Sequence, residues 1–301
     1  LRAALLMLAS TVAFGLMALC IRLASQTEPT WEVAFFRNAF GFVALMPMLL
    51  WPLLRDRRPL SSLRGDLRTT QLPRYFVRCG IGIVSMYCGF WAIGNLPLAQ
   101  AISLAYSSPI FITIAAALWL GEHVRMRRWL AVAVGFMGTL IIIRPGFQGL
   151  NPGVFMALGA GTSLALYMLL TRRIAGSASA MTTTFLTSLA GAVLTSIAVV
   201  FVWQAPTPQQ WGLFVLLAFI ATAGHYLIVR AYDYAEASLL APLGYTEMIM
   251  AVIVGWYFFG DFPDAWTFVG VGILIACAIY ISYRERKLNV PPLETPPTMI
   301  R

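Results

Sequence analysis

The sequence predicts an all-α integral membrane protein, with ten transmembrane helices in two inverted five-helix repeats around a central cavity. Three observations lead to this fold class: an apolar composition, ten apolar runs of membrane-spanning length, and a similarity between the two halves. Of the 301 residues, 59% are hydrophobic and only 11% are charged, and the mean hydropathy is +0.78. Soluble domains contain about 45–50% apolar and about 25% charged residues. The composition therefore indicates a protein that lies in a membrane.

The apolar runs predict the transmembrane helices. A hydrocarbon core about 30 Å thick is crossed by a helix of roughly 20 apolar residues. Ten runs of suitable length are separated by segments rich in turn-forming residues, such as "EPT", "NLP", "APTPQQ" and "GDFPD". We number these runs as spans one to ten and predict them at 3–24, 31–54, 73–94, 97–120, 127–144, 152–172, 179–203, 209–232, 237–259 and 264–283.

The basic residues predict the orientation of the spans. Cytoplasmic loops carry an excess of lysine and arginine. We number each connection after the span that it follows, and Arg144 is the one basic residue of the odd-numbered connections. We therefore predict a multi-pass protein with both termini in the cytoplasm. The net charge of +9 follows from this pattern and predicts no nucleic-acid partner, because nucleic-acid binding needs a clustered basic face. The even-numbered connections and the start of the tail contain Arg55, Arg57, Arg58, Arg64, Arg68, Arg74, Arg125, Arg127, Arg128, Arg172, Arg173, Arg230, Arg284, Arg286 and Lys287.

The two halves of the chain resemble each other. The stretch "AYSSPIFITIAAALWLGE" in span four aligns with "GYTEMIMAVIVGWYFFGD" in span nine, which pairs Tyr106 with Tyr245. The same offset of 139 residues pairs Tyr87 with Tyr226 in spans three and eight. An offset that is constant over consecutive spans indicates an internal repeat rather than a chance match between apolar helices.

Five spans in each half require the second half to cross the membrane in the opposite sense to the first. We predict a first repeat at 1–146, a second, inverted repeat at 147–284, and a cytoplasmic tail at 285–301. Inverted repeats are typical of secondary transporters, whose substrate site lies near the midplane between the halves. Spans one, three, four, six, eight and nine are predicted to line that cavity.

The order of several short motifs resembles the EamA-type drug/metabolite transporter superfamily. These motifs are "FFRNAFGF" in span two, "LGE" at the end of span four and "LIIIRPG" at the end of span five, and the resemblance covers 3–283. Within the superfamily the chain is similar to bacterial exporters of aromatic and other neutral amino acids. The resemblance implies a basket-shaped fold in the bacterial inner membrane and export of amino acids or related small metabolites. The alternative is a broad-specificity exporter of drugs or purine-type metabolites on the same fold. The second half departs from the pattern, because span ten ends without "RPG".

The sequence contains no pattern typical of an enzyme active site. HExxH, P-loop and CxxC motifs are absent, and the four cysteines have no metal-ligand spacing. We therefore predict no catalytic residue, no metal and no cofactor. A channel or an intramembrane enzyme is less favoured, since neither a filter ring nor a cluster of ionisable groups is evident. The predicted partners are a small-molecule substrate and membrane lipid, with protons as the candidate coupling ion.

Polar residues inside the spans are the candidate cavity residues, because each is costly in lipid and faces a cavity or a partner helix. The prolines among them are candidate hinges, since proline removes a backbone hydrogen bond. Each tyrosine either lines the cavity or packs between helices with its hydroxyl satisfied. The central candidates are Tyr106, Ser107 and Pro109 in span four, and Pro242, Tyr245, Thr246 and Glu247 in span nine.

Two charged residues leave sharper alternatives. Glu247 is either a proton carrier, a ligand for a substrate amine, or a neutral group that hydrogen-bonds a neighbouring helix. His225 is its candidate partner. Arg37 either snorkels to the outer face or binds a substrate carboxylate, whereas Arg78 is predicted to snorkel. The remaining candidates, which either line the cavity or pack, are Tyr87, Trp91, Tyr167 and His225.

Overall fold

The computed structural model describes residues 2–55, 72–119, 126–143, 151–174, 180–232, 234, 240 and 243–287. Within these ranges the chain forms helices and no strand. In chain order they are α1 (Arg2–Ala24), α2 (Thr30–Arg55), α3 (Leu72–Asn95), α4 (Leu98–Ala105), α5 (Ser108–Trp119), α6 (Met126–Ile143), α7 (Pro152–Ile174), α8 (Ala180–Val199), α9 (Pro208–Tyr232), α10 (Thr246–Phe259) and α11 (Ala265–Lys287).

Every predicted span contains described helix, which confirms the all-α fold class. Span four is not one helix, because α4 and α5 are separated at Tyr106 and Ser107. Span nine is interrupted at Tyr245, and span seven ends at Val199 rather than at the predicted 203. The segments 56–71, 120–125, 144–150, 175–179 and 288–301, together with Pro242, lie outside the described residues. Six of the basic residues used to predict orientation fall in these segments: Arg57, Arg58, Arg64, Arg68, Arg125 and Arg144.

Five segments in the described ranges are long and apolar enough to cross a membrane by length and composition: 2–24, 73–95, 98–115, 152–171 and 208–228. Shorter apolar helices lie at 129–143, 186–199, 246–259 and 265–277. The four cysteines are free, and three of them are buried. This agrees with their expected packing as small apolar side chains.

Local sequence signals explain where several helices begin and end. Proline occupies the first position of α7 and α9, where its missing N–H costs nothing. The Asn151 Oδ1 accepts the Gly153 N–H at 2.8 Å and so caps α7. At the other end of the chain, Gly260 ends α10 with a φ of 70°, a left-handed conformation that favours glycine.

The helix contacts repeat in the way that two equivalent halves require. Span one is equivalent to span six, and spans two to five are equivalent to spans seven to ten in the same order. The packing of α1 along α9 is matched by the packing of α7 along α3, and the contact of α1 with α10 by that of α7 with α4 and α5. The equivalent pairs α2 and α8, and α6 and α11, pack directly on each other.

The pair α6 and α11 also shows that the second half is inverted. Gly135 in the middle of α6 approaches Cys277 in the middle of α11, whereas Ile142 at the end of α6 approaches Gly270 at the start of α11. The two helices therefore run antiparallel. Since they are equivalent members of the two halves, the halves cross the membrane in opposite senses, as inverted repeats do.

The crossing of α6 and α11 depends on small residues. A methyl group at Gly270 would lie 2.5 Å from Ile142 Cγ1 and 2.7 Å from the Gly138 carbonyl oxygen. At Gly272, two residues further along the same helix, it would meet no atom within 4 Å. Close approach of backbones at small residues is a common way for membrane helices to associate.

We expect Gly270→Ala to lower the free energy of unfolding by about 1–3 kcal/mol, the usual cost of overpacking. Gly272→Ala is the matched control, and it should be neutral or slightly stabilising because alanine favours helix over glycine. The measurement is thermal unfolding in detergent, followed by tryptophan fluorescence. Equal unfolding temperatures for Gly270→Ala and the wild-type protein would contradict the close crossing.

Contacts at the outer end of the bundle, as the predicted orientation has it, join the two halves. Arg22 at the end of α1 pairs with Asp261 after α10 at 2.6 Å. Glu32 in the first turn of α2 is fully buried, and its Oε1 accepts the Gln204 N–H at 2.9 Å. The connections that follow odd-numbered spans therefore meet at one end of the helix bundle. This is required if successive spans cross the membrane in opposite directions.

Candidate functional site

The interrupted spans four and nine meet at their paired tyrosines. The ring centroids of Tyr106 and Tyr245 lie 5.3 Å apart. The Tyr106 hydroxyl donates to the Glu247 Oε2 at 2.6 Å, and it lies 3.1 Å from the Gly244 carbonyl oxygen. The sequence-paired tyrosines are thus in direct contact, and one of them binds the candidate carboxyl group.

The interruption in span four has a local cause. Pro109 has no N–H to donate to the Ala105 carbonyl four residues earlier. The chain instead makes a tighter turn, in which the Ser107 N–H donates to the Leu104 carbonyl at 3.1 Å. The Ser107 hydroxyl donates to the same carbonyl at 2.6 Å and is buried, so this side chain stabilises the turn and does not face a cavity. Gly161 of α7 packs against the Ala105 carbonyl.

The interruption in span nine is held against the first span. The Thr246 hydroxyl lies 2.9 Å from the Thr11 hydroxyl of α1, and it also donates to the Leu243 carbonyl at 2.6 Å. Thr246 therefore positions the start of α10, where Glu247 stands in the first turn. The Glu247 side chain is partly accessible.

Arg37 of α2 is partly buried. Its Nη1 donates to the Asn38 Oδ1 at 3.1 Å, and the Asn38 Nδ2 donates to the Ala34 carbonyl at 3.0 Å. The Arg37 Nε is buried and has no hydrogen-bond partner in the described part of the chain. The guanidinium interacts electrostatically with Tyr167 of α7 and His225 of α9. Within the described ranges, neither Arg37 nor Glu247 forms an ion pair.

His225 faces the same interior. Its Nδ1 lies 2.8 Å from the Ala221 carbonyl oxygen, one turn earlier in α9. The edge of the Phe14 ring packs against the imidazole, with centroids 5.1 Å apart. The His225 side chain is exposed. The expected pairing of His225 with Glu247 is not formed, since Glu247 bonds Tyr106 instead.

The prediction that Arg78 snorkels to the membrane surface is wrong. Its side chain is only 4% exposed. The Nε donates to the Thr171 hydroxyl at 2.7 Å, the Nη1 to the Thr187 hydroxyl at 2.9 Å, and the Nη2 to the Tyr167 hydroxyl. The guanidinium also lies 4.3 Å from the centre of the Tyr167 ring. Arg78 therefore binds three groups of the second half and positions Tyr167. The sequence missed this role because these partners come from distant spans.

Tyr87 and Trp91 of α3 make contacts with other residues than the site candidates described above. Tyr87 stacks on Trp31, near the start of α2, with ring centroids 4.2 Å apart and planes 21° from parallel. Trp91 is partly buried, and its backbone carbonyl accepts the Asn95 side-chain amide at 2.8 Å. Both residues therefore belong to the C-terminal half of α3.

The arrangement suits binding rather than covalent chemistry. A guanidinium and a carboxyl group, neither in an ion pair, stand in an interior that also contains tyrosine, phenylalanine and histidine rings. In the described ranges no three side chains are placed to hold a metal ion. Such a site can hold a small organic molecule through opposite charges and apolar contact.

Comparison with known proteins identifies the family. A model of the EamA-like transporter family matches residues 1–144 and 151–283. The chain is 28% identical over 291 residues to a riboflavin transporter of Vibrio cholerae, covering 95% of each protein. It is 30% identical over 295 residues to the pseudopaline exporter CntI of Pseudomonas aeruginosa, covering 94% of this chain and 96% of the exporter.

A third relative is an S-adenosylmethionine uptake transporter of Rickettsia bellii, which is 26% identical over 258 residues. The match covers 86% of this chain and 85% of that transporter. One solved crystal structure shares the fold, with a TM-score of 0.63 at 18% sequence identity. The match covers 95% of this chain and 98% of the chain in that structure. The named relatives are transporters rather than enzymes. The chain belongs to the EamA-like transporter family.

Proposed function

We propose that this transporter exports neutral and aromatic amino acids, or closely related small metabolites, across the bacterial inner membrane by alternating access. One observation carries the proposal. Arg37 and Glu247 are a partly buried cation and a partly buried carboxyl group, and within the described ranges neither is paired with an opposite charge. An amino acid supplies both missing partners in one molecule.

The energetics favour a zwitterion over a singly charged substrate. A buried charge without a partner is costly, and a charge-assisted hydrogen bond to a ligand offsets that cost. A substrate carboxylate would bind the Arg37 guanidinium, and a substrate ammonium would bind the Glu247 carboxylate. The rings of Phe14, Tyr106 and Tyr245 supply apolar contact for the rest of the molecule.

Glu247 is also the proposed proton carrier. When the substrate leaves, its ammonium no longer neutralises the carboxylate, and a proton is the replacement that restores neutrality. The Tyr106 hydroxyl can donate to the carboxylate or accept from the protonated form, so the 2.6 Å contact suits both states. Exchange of a proton for a substrate ammonium at one carboxyl group would couple export to the proton gradient.

The relatives support a metabolite substrate but differ in direction. The pseudopaline relative is named an exporter, whereas the S-adenosylmethionine relatives are named uptake transporters. Riboflavin and S-adenosylmethionine both contain fused nitrogen heterocycles. The second candidate function is therefore export of drugs or purine-type metabolites, which the aromatic interior would also accommodate.

The test is transport by the purified protein in proteoliposomes, using a panel of radiolabelled amino acids and nucleosides with and without a proton gradient. We expect transport of neutral and aromatic amino acids. Tyr106→Ala and Tyr245→Ala should reduce it at least tenfold, the scale of about 1.4 kcal/mol. Leu118→Ala, at an exposed apolar position, should not. Transport of nucleosides but of no amino acid would replace the first candidate with the second.

We also propose that both termini lie in the cytoplasm. The arginine distribution supports this orientation. A reporter fused after Arg58 should give a cytoplasmic signal, and one fused after Gln204 should give a periplasmic signal. The same signal from both fusions would contradict the topology.

A further inference from the structure

We propose that His225 is a specificity-determining residue that accepts a hydrogen bond from the side chain of the substrate. On this basis the transporter prefers aromatic amino acids that carry a ring N–H or O–H, such as tryptophan and tyrosine, over those that lack one. The inference rests on the proposed function, and it narrows the substrate class of the same site.

The hydrogen bonding of the imidazole fixes which nitrogen is available to a ligand. The Ala221 carbonyl oxygen can only accept, so the Nδ1 at 2.8 Å must carry the hydrogen. In a neutral imidazole the Nε2 is then a bare acceptor. It points away from the carbonyl of its own helix and has no partner among the described residues.

The charges around His225 favour the neutral ring. Arg37 is the charged side chain that acts on it from α2. On α1 the group against the imidazole is Phe14, which is uncharged. A protonated, positively charged imidazole would be repelled by the Arg37 guanidinium. No carboxylate of the described chain contacts the imidazole to offset this repulsion.

The ring is also held in place. Phe14 packs on it edge-on, with an interplanar angle of 85°. A methyl group at the neighbouring Gly224 would lie 3.1 Å from the Phe14 ring and 3.2 Å from Ala13, so α1 and α9 pack closely here. Preorganised acceptors discriminate well, because they do not reorient when the donor is missing.

Two other side-chain acceptors discussed above already receive a hydrogen bond. The Asn38 Oδ1 accepts from Arg37, and the Glu247 Oε2 accepts from Tyr106. Arg37 and Glu247 are assigned to the α-carboxylate and α-ammonium groups, which leaves the Nε2 of His225 for the side chain. A site built to bond a donor disfavours the analogue without it, because the bound analogue would cover the acceptor and leave it unpaired.

The experiment compares matched pairs of substrates in proteoliposomes of the full-length protein. Tyrosine is compared with phenylalanine, and tryptophan with 3-benzothienylalanine, in which sulfur replaces the indole N–H. We expect the wild-type protein to favour the donor-bearing member of each pair at least tenfold in kcat/KM, equivalent to about 1.4 kcal/mol. His225→Phe should bring both ratios close to one while keeping measurable transport.

Tyr226→Phe changes the next residue of α9, which is exposed, and should leave both ratios unchanged. Equal transport of the paired substrates by the wild-type protein would overturn the inference but not the proposed function. The inference would also be overturned, and the proposed function left standing, if His225→Phe had the same kcat/KM ratios for the paired substrates as the wild-type protein. If the wild-type protein carries no amino acid at all, the proposed function fails and this inference fails with it.

Discussion

Replacing Arg37 with glutamine is expected to weaken binding of a zwitterionic amino acid by about 30-fold or more, which corresponds to about 2 kcal/mol. Glutamine keeps a hydrogen-bond donor near Asn38 but removes the charge that we assign to the substrate carboxylate. The Nε of Arg37 is buried without a partner in the described chain, so its bonding capacity is available to a ligand. The measurement is competition against a radiolabelled amino acid in detergent.

The specificity of that loss separates a binding role from a structural one. An amino acid methyl ester lacks the carboxylate, so its affinity should be nearly the same in the wild-type protein and in Arg37→Gln. Arg2→Gln, at an exposed arginine at the start of α1, is the control for loss of charge alone. An equal loss of affinity for the acid and for its ester would show that Arg37 supports the fold rather than the substrate.

Replacing Glu247 with glutamine should abolish the response of transport to a proton gradient and reduce transport at least tenfold. Glutamine has nearly the same size and still accepts the hydrogen bond from Tyr106, but it neither titrates nor pairs with an ammonium group. The measurement is transport into proteoliposomes at several pH values, with an imposed gradient of either sign. The expected profile for the variant is flat with pH.

Glu32→Gln is the matched control for this experiment. Glu32 is also a buried carboxyl group, but it lies in the first turn of α2 and bonds the Gln204 backbone. Its replacement should leave the dependence on the gradient in place. If Glu247→Gln transports as well as the wild-type protein and keeps its pH dependence, Glu247 neither carries protons nor pairs with the substrate amine.

The sequence predicted the fold well because the membrane imposes a strong pattern. Span lengths follow from the thickness of the bilayer, and the Tyr106–Tyr245 contact follows from the repeat, since equivalent residues near a two-fold axis approach each other. The interruption of span four was indicated by Pro109. Pro242 suggested the same for span nine, where the described break is at Tyr245.

The contacts between spans were not predictable from one sequence. Arg78 was interpreted from its position near a helix end, where an exposed arginine would snorkel. Its actual partners, Thr171 and Thr187, are 93 and 109 residues away in the chain. Likewise, the choice of Tyr106 over His225 as the partner of Glu247 depends on how α4, α9 and α10 rotate about their axes. Apolar periodicity says little about this rotation in helices that face lipid on one side and protein on the other.

The central claim is that one interior site recognises both charges of an amino acid. Its most direct test is competition binding to the wild-type protein by three ligands: an amino acid, its N-acetyl derivative without the cation, and its methyl ester without the anion. We predict that the zwitterion binds at least tenfold more tightly than either derivative, a difference of about 1.4 kcal/mol or more. Equal affinity for all three ligands would contradict recognition of the zwitterion by Arg37 and Glu247.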